Sequence, residues 1–110
     1  MTFDEYEQTA LTTVLSTGDP FKDLLHWVLG LNGEAGEVAE KLKKIIRDKN
    51  SVITEEDKQE LAKEIGDVLW YLAVFAHDLG VPLDQIAQQN LDKLKSRKDR
   101  GVLGGAGDNR

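Results

Sequence analysis

The sequence has no cysteine, only two prolines and no long apolar run, and each absence excludes a class of protein. Without cysteine there is no disulfide scaffold, no thiolate metal site and no cysteine nucleophile. No stretch reaches the roughly 18 apolar residues of a membrane span. The acidic start, MTFDEYEQTALTTV, also lacks the basic segment and apolar core of a secretory signal. We therefore expect a cytoplasmic protein that makes no membrane contact.

Basic residues are also in the minority, since 14 Lys and Arg stand against 20 Asp and Glu, for a formal charge of −6. This sign argues against a partner such as duplex nucleic acid, whose binding proteins usually carry positive charge. The charge is uneven along the chain: residues 1–90 hold 8 basic and 17 acidic residues, whereas residues 91–110 hold 6 and 3. An acidic body with a basic end suits a cation site beside an anion site.

What the sequence does contain is helical periodicity over most of its 110 residues, enough for one domain. The spacing of apolar residues predicts four helices, at about 3–15, 21–47, 54–79 and 83–100. We expect a single all-α, four-helix bundle-like domain over residues 1–100 and an irregular Gly-rich tail over residues 101–110. A chain of this length buries little core alone, so we expect it to be completed as a homodimer or homotetramer.

Large apolar residues of the second and third helices suggest how the chain packs. Trp27 and Phe75 lie on apolar stripes and are predicted to be core residues. Trp70 and Val74 lie on the opposite side of the third helix from its core stripe. Because a segment that is apolar all round is covered on both sides, we interpret these two residues as a subunit interface.

Two pairs of carboxylates border the apolar stripes of the second and third helices. At 100° per residue, Glu37 lies about 60° from Glu34, and Asp67 lies about 60° from Glu64. Antiparallel helices that share a core stripe would turn both pairs towards one cleft. Four bare carboxylates repel one another, and a hard divalent cation such as Mg²⁺ or Mn²⁺ would resolve this repulsion. Neither pair contains a histidine, which argues against zinc or a di-iron centre.

An ordinary surface explains such pairs as well, because E-x-x-E on a helix is commonly a solvated face. Both pairs adjoin glycines, however, and glycine within a helix costs about 1 kcal/mol relative to alanine. Gly33, Gly36 and Gly66 therefore suggest that open space or a close backbone approach matters at these positions. From the residues alone, the metal site and the solvated face both stay open.

The runs LGLNGEAGEVAEKLKK at 29–44 and ELAKEIGDVLWYLA at 60–73 together resemble the MazG-like family of all-α nucleoside triphosphate pyrophosphohydrolases. The family signature is E-x-x-E followed, after a spacer, by E-x-x-D. Some relatives begin the first half with two acids, where this chain has Gly33. The resemblance covers about residues 20–100, and the signature positions are occupied by Glu34, Glu37, Glu64 and Asp67.

The resemblance implies a Mg²⁺-dependent enzyme, with Mn²⁺ able to substitute, in which these four acids form the catalytic metal site. Its reaction would cleave a nucleoside or deoxynucleoside triphosphate between the α and β phosphates to a monophosphate and pyrophosphate. The family also suggests a role in removing altered nucleotides. Two alternatives stay open: an enzyme like phosphoribosyl-ATP pyrophosphohydrolase, and a non-catalytic helical module that binds a nucleotide or a protein.

The residues assigned to substrate binding lie on three helices. The run NLDKLKSRKDRG at 90–101 resembles the anion-binding segment of the family, with Asn90, Lys93 and Arg97 on one helix face. Asn90 would orient the nucleotide, and Lys93 and Arg97 would bind phosphates. A solvated basic end that complements the helix dipole is the alternative interpretation. Further contacts to phosphate and to ribose or base are expected from Lys41, Lys44 and Tyr71.

Overall fold

The computed structural model describes residues 1–110 and contains four α-helices and no strand. The helices are α1 (Phe3–Leu11), α2 (Pro20–Asp48), α3 (Glu55–Asp78) and α4 (Leu83–Asp99). The prediction of an all-α chain is confirmed, and α2, α3 and α4 lie where the periodicity placed them, within one or two residues at each end. No helix combines the length and apolar character that are needed to cross a membrane.

The first helix ends four residues earlier than predicted, because the residues that follow it bond locally. The hydroxyls of Thr12 and Thr13 donate to the carbonyls of Thr9 and Ala10. Such side-chain bonds to the backbone compete with continuation of a helix. The next residues, Ser16 and Thr17, donate their hydroxyls to the Asp23 carboxylate at the start of α2.

The entry into α3 is fixed by a capping box. The Asp57 backbone N–H donates to Thr54 Oγ1 at 3.1 Å, and the Thr54 N–H donates to Asp57 Oδ2 at 3.0 Å. Lys49, beyond the end of α2, places Nζ 2.8 Å from Asp57 Oδ1. The hydrogen bonds from Lys49 and from the Thr54 backbone lower the pKa of Asp57 to about 2. One carboxylate therefore both starts α3 and ties it to the end of α2.

The helices α2 and α3 form an antiparallel hairpin, and the other two helices, α1 and α4, pack on α3 and not on α2. The pairing runs from Trp27 beside Asp78, through Lys41 beside Glu64, to Lys49 beside Asp57. α1 and α4 contact α3 and each other, but neither contacts α2. The radius of gyration is 17.1 Å, against about 13 Å for a compact domain of this size. The single chain is therefore an open arrangement of helices.

Ten residues are buried, and seven of them are apolar and form the small core, in which Trp27 and Val74 are the largest fully enclosed side chains. The Trp27 indole Nε1 donates to Asp78 Oδ2 at 2.6 Å, so the prediction that Trp27 is a core residue is confirmed. Phe75, predicted to lie in the core, is only half-buried.

The predicted subunit interface at Trp70 and Val74 is wrong. Val74 is 1% exposed within the chain, and the Trp70 indole Nε1 donates to Thr13 Oγ1 at 2.8 Å. The segment containing α1 and the residues after it covers this side of α3. A helix that is apolar on all sides has to be covered on two sides. Here the second side is covered by α1 and the residues after it, not by another subunit.

A different apolar surface is left uncovered, and we call it the apolar face. Its side chains are more than a third exposed and lie about 100° from the α2–α3 contact, in the same rotational sense on both helices. Because α2 and α3 are antiparallel, the two stripes lie on the same side of the hairpin. The apolar face consists of Phe21, Leu25, Val28, Leu42 and Ile46 of α2, Ile65 and Leu72 of α3, and Leu79 directly after α3.

The tail, residues 101–110, has no helix or strand but folds back along α4. Its last residue, Arg110, donates guanidinium hydrogen bonds to the carbonyls of Val102, Leu103, Gly104 and Gly107. The turn needs glycine, since Gly101, Gly105 and Gly107 have φ values of +70°, +93° and +93°. The Arg100 guanidinium also donates to the Arg110 carbonyl at 2.8 Å, which fixes the tail to the end of α4.

Candidate metal centre

The α2–α3 hairpin brings three of the four predicted acids together. One carboxylate oxygen from each of Glu34, Glu64 and Asp67 lies within 4.8 Å of the other two. Glu34 and Glu64 are half-buried and Asp67 is exposed, so the group is open to solvent on one side. Oxygen donors at this spacing fit a hard divalent cation such as Mg²⁺ or Mn²⁺.

Glu34 and Glu64 have opposite electrostatic environments. Burial raises the pKa of Glu34, and its hydrogen bond with Glu64 and the negative charges of Asp67, Glu64 and Glu37 raise it further. The pKa of Glu64 is lowered, chiefly by the hydrogen bond from Lys41. Of these two carboxyls, Glu34 therefore takes up a proton first as pH falls. Once Glu34 is protonated, a cation that binds here has to displace that proton.

Lys41 lies directly beside the carboxylates. Its Nζ is 2.8 Å from Glu64 Oε1 and 3.5 Å from Glu60 Oε2. The Glu64 hydrogen bond raises the pKa of Lys41, which therefore stays charged and offsets part of the negative charge. Lys44, one turn further along α2, pairs with Glu40 at 3.5 Å. Both lysines line an open cavity of about 280 Å³ between the end of α2 and the start of α3.

The fourth predicted acid, Glu37, lies outside the group of three. It is exposed on α2, and its charge contributes to the raised pKa of Glu34. Its position one turn beyond Glu34 keeps it at the solvent side of the cleft. The helical spacing placed Glu34 and Glu37 on the same margin but could not distinguish the half-buried carboxylate from the exposed one.

Tyr71 lies one turn beyond Asp67 on α3, and its ring packs between the two helices of the hairpin. The ring is perpendicular to that of Trp70, with centroids 5.0 Å apart, and lies 6.4 Å from the Trp27 ring. A Cβ atom built on Gly30 would lie 2.2 Å from two ring carbons of Tyr71. The close approach predicted for a glycine therefore occurs at Gly30, which the sequence did not single out.

The three glycines that were singled out have open space. Nothing lies within 4 Å of a Cβ atom built on Gly33, Gly36 or Gly66, so the chain itself makes no close approach there. These residues point away from the α2–α3 contact. The sequence showed that the motif is rich in glycine. The pairing of α2 with α3 was needed to show which of the glycines packs against an aromatic ring.

Tyr6 of α1 is a neighbour of the carboxylates that the sequence did not reveal. Burial and the negative charge of Asp67 raise the pKa of Tyr6. The ring also packs, as Leu69 does, against the buried cluster of Ala73, Ala76 and Leu83. No spacing within α1 indicates this contact, since it depends on how α1 packs on α3.

The predicted anion-binding residues of α4 make no hydrogen bond or ion pair with the carboxylate group. Lys93 Nζ lies 3.1 Å from Asp108 Oδ1 of the tail, and the Arg97 guanidinium donates to both the carbonyl and Oδ1 of Asp108. Asn90 is exposed on α4. Within one chain, the structure thus joins Lys93 and Arg97 to the tail rather than to the candidate metal centre.

The raised pKa of Glu34 predicts that metal affinity depends on pH. As pH falls from neutral into the acid range, the Glu34 carboxyl takes up a proton at a higher pH than an ordinary glutamate does and competes with the cation, so Mn²⁺ should bind more weakly. Titration of the metal-free protein with Mn²⁺ at several pH values would measure this. The Glu34→Gln variant should bind weakly and lose most of the dependence. A wild-type affinity that is constant across this range would contradict the assignment.

The fold and the site define an all-α protein with a carboxylate centre between two antiparallel helices and a lysine beside it. The model of the family described as the MazG nucleotide pyrophosphohydrolase domain matches residues 22–102, and the chain belongs to this family. The predicted resemblance is thereby confirmed. The match includes α2, α3 and α4 and leaves out α1 and the last eight residues.

A relative is similar over the whole chain. The "Gene 37 protein" of Mycobacterium phage L5 is 49% identical over 114 residues, covering 100% of this chain and 100% of that protein. Its name states no activity, so it adds a relative without adding a substrate. No solved structure matches this chain.

Proposed function

We propose that this protein is a Mg²⁺-dependent nucleotide pyrophosphohydrolase, cleaving a nucleoside or deoxynucleoside triphosphate between its α and β phosphates. The products would be the monophosphate and pyrophosphate. One observation carries the proposal: in a chain of this family, Glu34, Glu64 and Asp67 place oxygen atoms within 4.8 Å of one another. A bound Mg²⁺, or Mn²⁺ in its place, would neutralise the phosphates and lower the pKa of a bound water.

Different residues of the chain would bind the cation and the phosphates. Glu34, Glu64 and Asp67 hold the cation, and Glu37 completes the carboxylate set from the solvent side. Lys41 now pairs with Glu64 at 2.8 Å, and its Nζ is free to turn to a phosphate once a cation takes up the charge of Glu64. Lys44 follows on the same helix and would contact the outer phosphates.

The other predicted contacts come from α3 and α4. Tyr71 fixes the spacing of α2 and α3 at the centre through its packing on Gly30, and its contact with the ribose or base is part of the proposal. Asn90 would orient the nucleotide. Lys93 and Arg97 would bind the phosphates that leave as pyrophosphate once Asp108 of the tail no longer pairs with them.

The proposed partner, besides the nucleotide, is a second copy of this chain seated on the apolar face. Only ten residues are buried within one chain, whereas eight large apolar side chains of the hairpin are left uncovered. Two hairpins packed through this face by a two-fold axis would form a four-helix bundle of α2 and α3 from each copy. A homotetramer would be two such dimers.

Charged residues in the apolar face are expected to break the dimer. Leu25 is 47% and Ile46 is 65% exposed, so Leu25→Glu with Ile46→Glu costs little in one chain but buries charge in a dimer. The mass measured by light scattering should fall to that of one chain, 12.3 kDa. The matched control is Leu91→Glu on α4, outside the face, which should leave the mass unchanged. A wild-type protein of 12.3 kDa would contradict the proposal.

The activity is tested by measuring pyrophosphate release from common and modified nucleoside and deoxynucleoside triphosphates, with Mg²⁺, Mn²⁺ or EDTA. We expect release that requires metal. Modified nucleotides are included because removal of altered nucleotides in the cytoplasm is the role we propose. Release from phosphoribosyl-ATP alone would favour the related enzyme class. Nucleotide binding without any release would favour a non-catalytic binding module and would overturn the proposal.

A further inference from the structure

The tail places a carboxylate on the two cationic residues that the proposed function assigns to phosphate. Asp108 Oδ1 lies 3.1 Å from Lys93 Nζ and 3.3 Å from an Arg97 guanidinium nitrogen. Hydrogen bonds from Lys93 and Arg97 lower the pKa of Asp108, so this side chain is an anion. One carboxylate thus occupies the position that a phosphate group would take between the same two residues.

Arg97 is not accessible to another anion in this arrangement. It is 6% exposed, and all hydrogen bonds of its guanidinium group go to Asp108. Its Nε is buried without a partner. A buried guanidinium N–H without an acceptor is unfavourable, and a phosphate offers more acceptor oxygens than a carboxylate does. When Arg97 pairs with Asp108, its Nε–H group therefore still lacks an acceptor that a phosphate could provide.

The tail is held in place by its own bonds, and Asp108 is at its exposed side. Arg110 binds four backbone carbonyls within the tail, so the loop that carries Asp108 has a defined shape. The Asp108 side chain itself is 82% exposed and reaches Arg97 from the solvent side. The part of the tail that carries the side chain and the carbonyl of Asp108 can leave Lys93 and Arg97 without opening the helical core.

We propose that Asp108 is an intramolecular competitor for the Lys93–Arg97 phosphate site, and that a polyphosphate binds there only when the tail moves Asp108 away. The polyphosphate is the triphosphate chain of a nucleotide or free pyrophosphate. The effect of this competition on catalysis rests on the proposed function. The competition itself requires only that the Lys93–Arg97 site binds an anion. A phosphate and the carboxylate cannot share the site, because like charges at hydrogen-bond distance repel.

The alternative is that Asp108 positions Lys93 and Arg97 for phosphate, and it predicts the opposite sign. If Asp108 competes, removal of its charge strengthens phosphate binding. If Asp108 positions the two residues, its removal weakens binding. Asp108→Asn in the full chain separates the two, since asparagine keeps the size of the side chain and loses the charge.

The measurement is calorimetric binding of inorganic pyrophosphate to the metal-free protein, so that the carboxylate centre takes no part. We expect Asp108→Asn to bind about two- to fivefold more tightly than wild type, the range for one partly screened charge pair. Adding Lys93→Gln to Asp108→Asn should remove the gain. The matched control is Asp99→Asn, which neutralises an exposed carboxylate that pairs with Lys95 at 2.8 Å and should change nothing.

A second variant tests the tail rather than the charge. Arg110→Gln removes the guanidinium that binds the four carbonyls, so the loop loosens and pyrophosphate should again bind more tightly. Equal or weaker binding by Asp108→Asn would overturn the inference, as would an equal gain in Asp99→Asn. Circular dichroism and the melting temperature of each variant check that the chain is folded.

Turnover separates this inference from the proposed function. With an active enzyme, Asp108→Asn should lower the KM for the triphosphate by a similar factor and leave kcat unchanged. If wild type cleaves no triphosphate but Asp108→Asn still binds pyrophosphate more tightly, the proposed function fails and the competition stands. If wild type is active and the variant matches it in KM and pyrophosphate affinity, the competition fails and the function stands.

Discussion

Glu64→Gln is expected to lower metal-dependent pyrophosphate release by at least about a hundredfold, since even residues that only support metal ligands typically contribute 10–100-fold. Glu64 has two neighbours at the centre: it accepts a hydrogen bond from Glu34 and pairs with Lys41 at 2.8 Å. The substitution removes the charge that a cation needs and leaves Lys41 without its carboxylate partner. The weaker Mn²⁺ binding should be measurable directly, independently of turnover.

A matched control separates the loss of a ligand from the loss of a charge. Glu56→Gln lies in the exposed first turn of the same helix and should keep wild-type activity and metal affinity. Glu37→Gln should have an intermediate effect, because Glu37 is outside the group of three but contributes to the charge felt by Glu34. A Glu64→Gln protein that binds Mn²⁺ as well as wild type would contradict the assignment of the centre.

The proximity of Glu34 and Glu64 could be predicted from the sequence because it is set by two helices and one antiparallel contact. Helical spacing placed Glu34 and Glu64 at the margins of apolar stripes, and pairing those stripes brings the carboxylates together. The spacing also placed Lys41 on the same margin, where it pairs with Glu64 at 2.8 Å. Information of this kind lies within about 30 residues of sequence and depends on regular structure alone.

The contacts that the sequence did not reveal join segments that periodicity cannot relate. Thr13 contacts Trp70, which is 57 positions away in the sequence. Because of this contact, the residues that were expected at a subunit interface are covered by the chain itself. Asp108 meets Arg97 through a glycine-rich turn whose path depends on three positive φ values. In both cases a polar side chain in an irregular segment decides the arrangement, and such segments carry no repeating pattern to read.

The close packing at Gly30 is another contact that the sequence did not reveal. Substitution of Gly30 is expected to have the largest effect on stability. A Cβ atom at this position would lie 2.2 Å from Cε1 and Cζ of Tyr71 and 2.8 Å from Cδ1. The ring cannot simply turn aside, because Trp70 packs perpendicular to it at 5.0 Å and Trp27 lies at 6.4 Å. Gly30→Ala therefore forces α2 and α3 apart or displaces three aromatic rings.

An overpacked contact typically costs about 1–3 kcal/mol, and the helix-propensity gain of alanine offsets about 1 kcal/mol of that cost. We therefore expect Gly30→Ala to destabilise the fold by up to about 2 kcal/mol. For a domain of this size the melting temperature should fall by about 4–8 °C per kcal/mol. Since Gly30 lies one turn from Glu34, the displaced helices should also separate Glu34 from Glu64 and Asp67. Mn²⁺ affinity should therefore fall together with stability.

The matched control is Gly36→Ala on the same helix, where an added Cβ meets nothing within 4 Å. This variant should be neutral or up to about 1 kcal/mol more stable, because alanine favours the helix. Combining Gly30→Ala with Tyr71→Leu should recover part of the loss, since the smaller side chain leaves room for the methyl group, and the recovery measures the coupling of the two positions. A Gly30→Ala protein as stable as Gly36→Ala would mean that α2 and α3 pack further apart than the Tyr71 contact requires. The spacing that brings the three carboxylates together would then have to come from somewhere else.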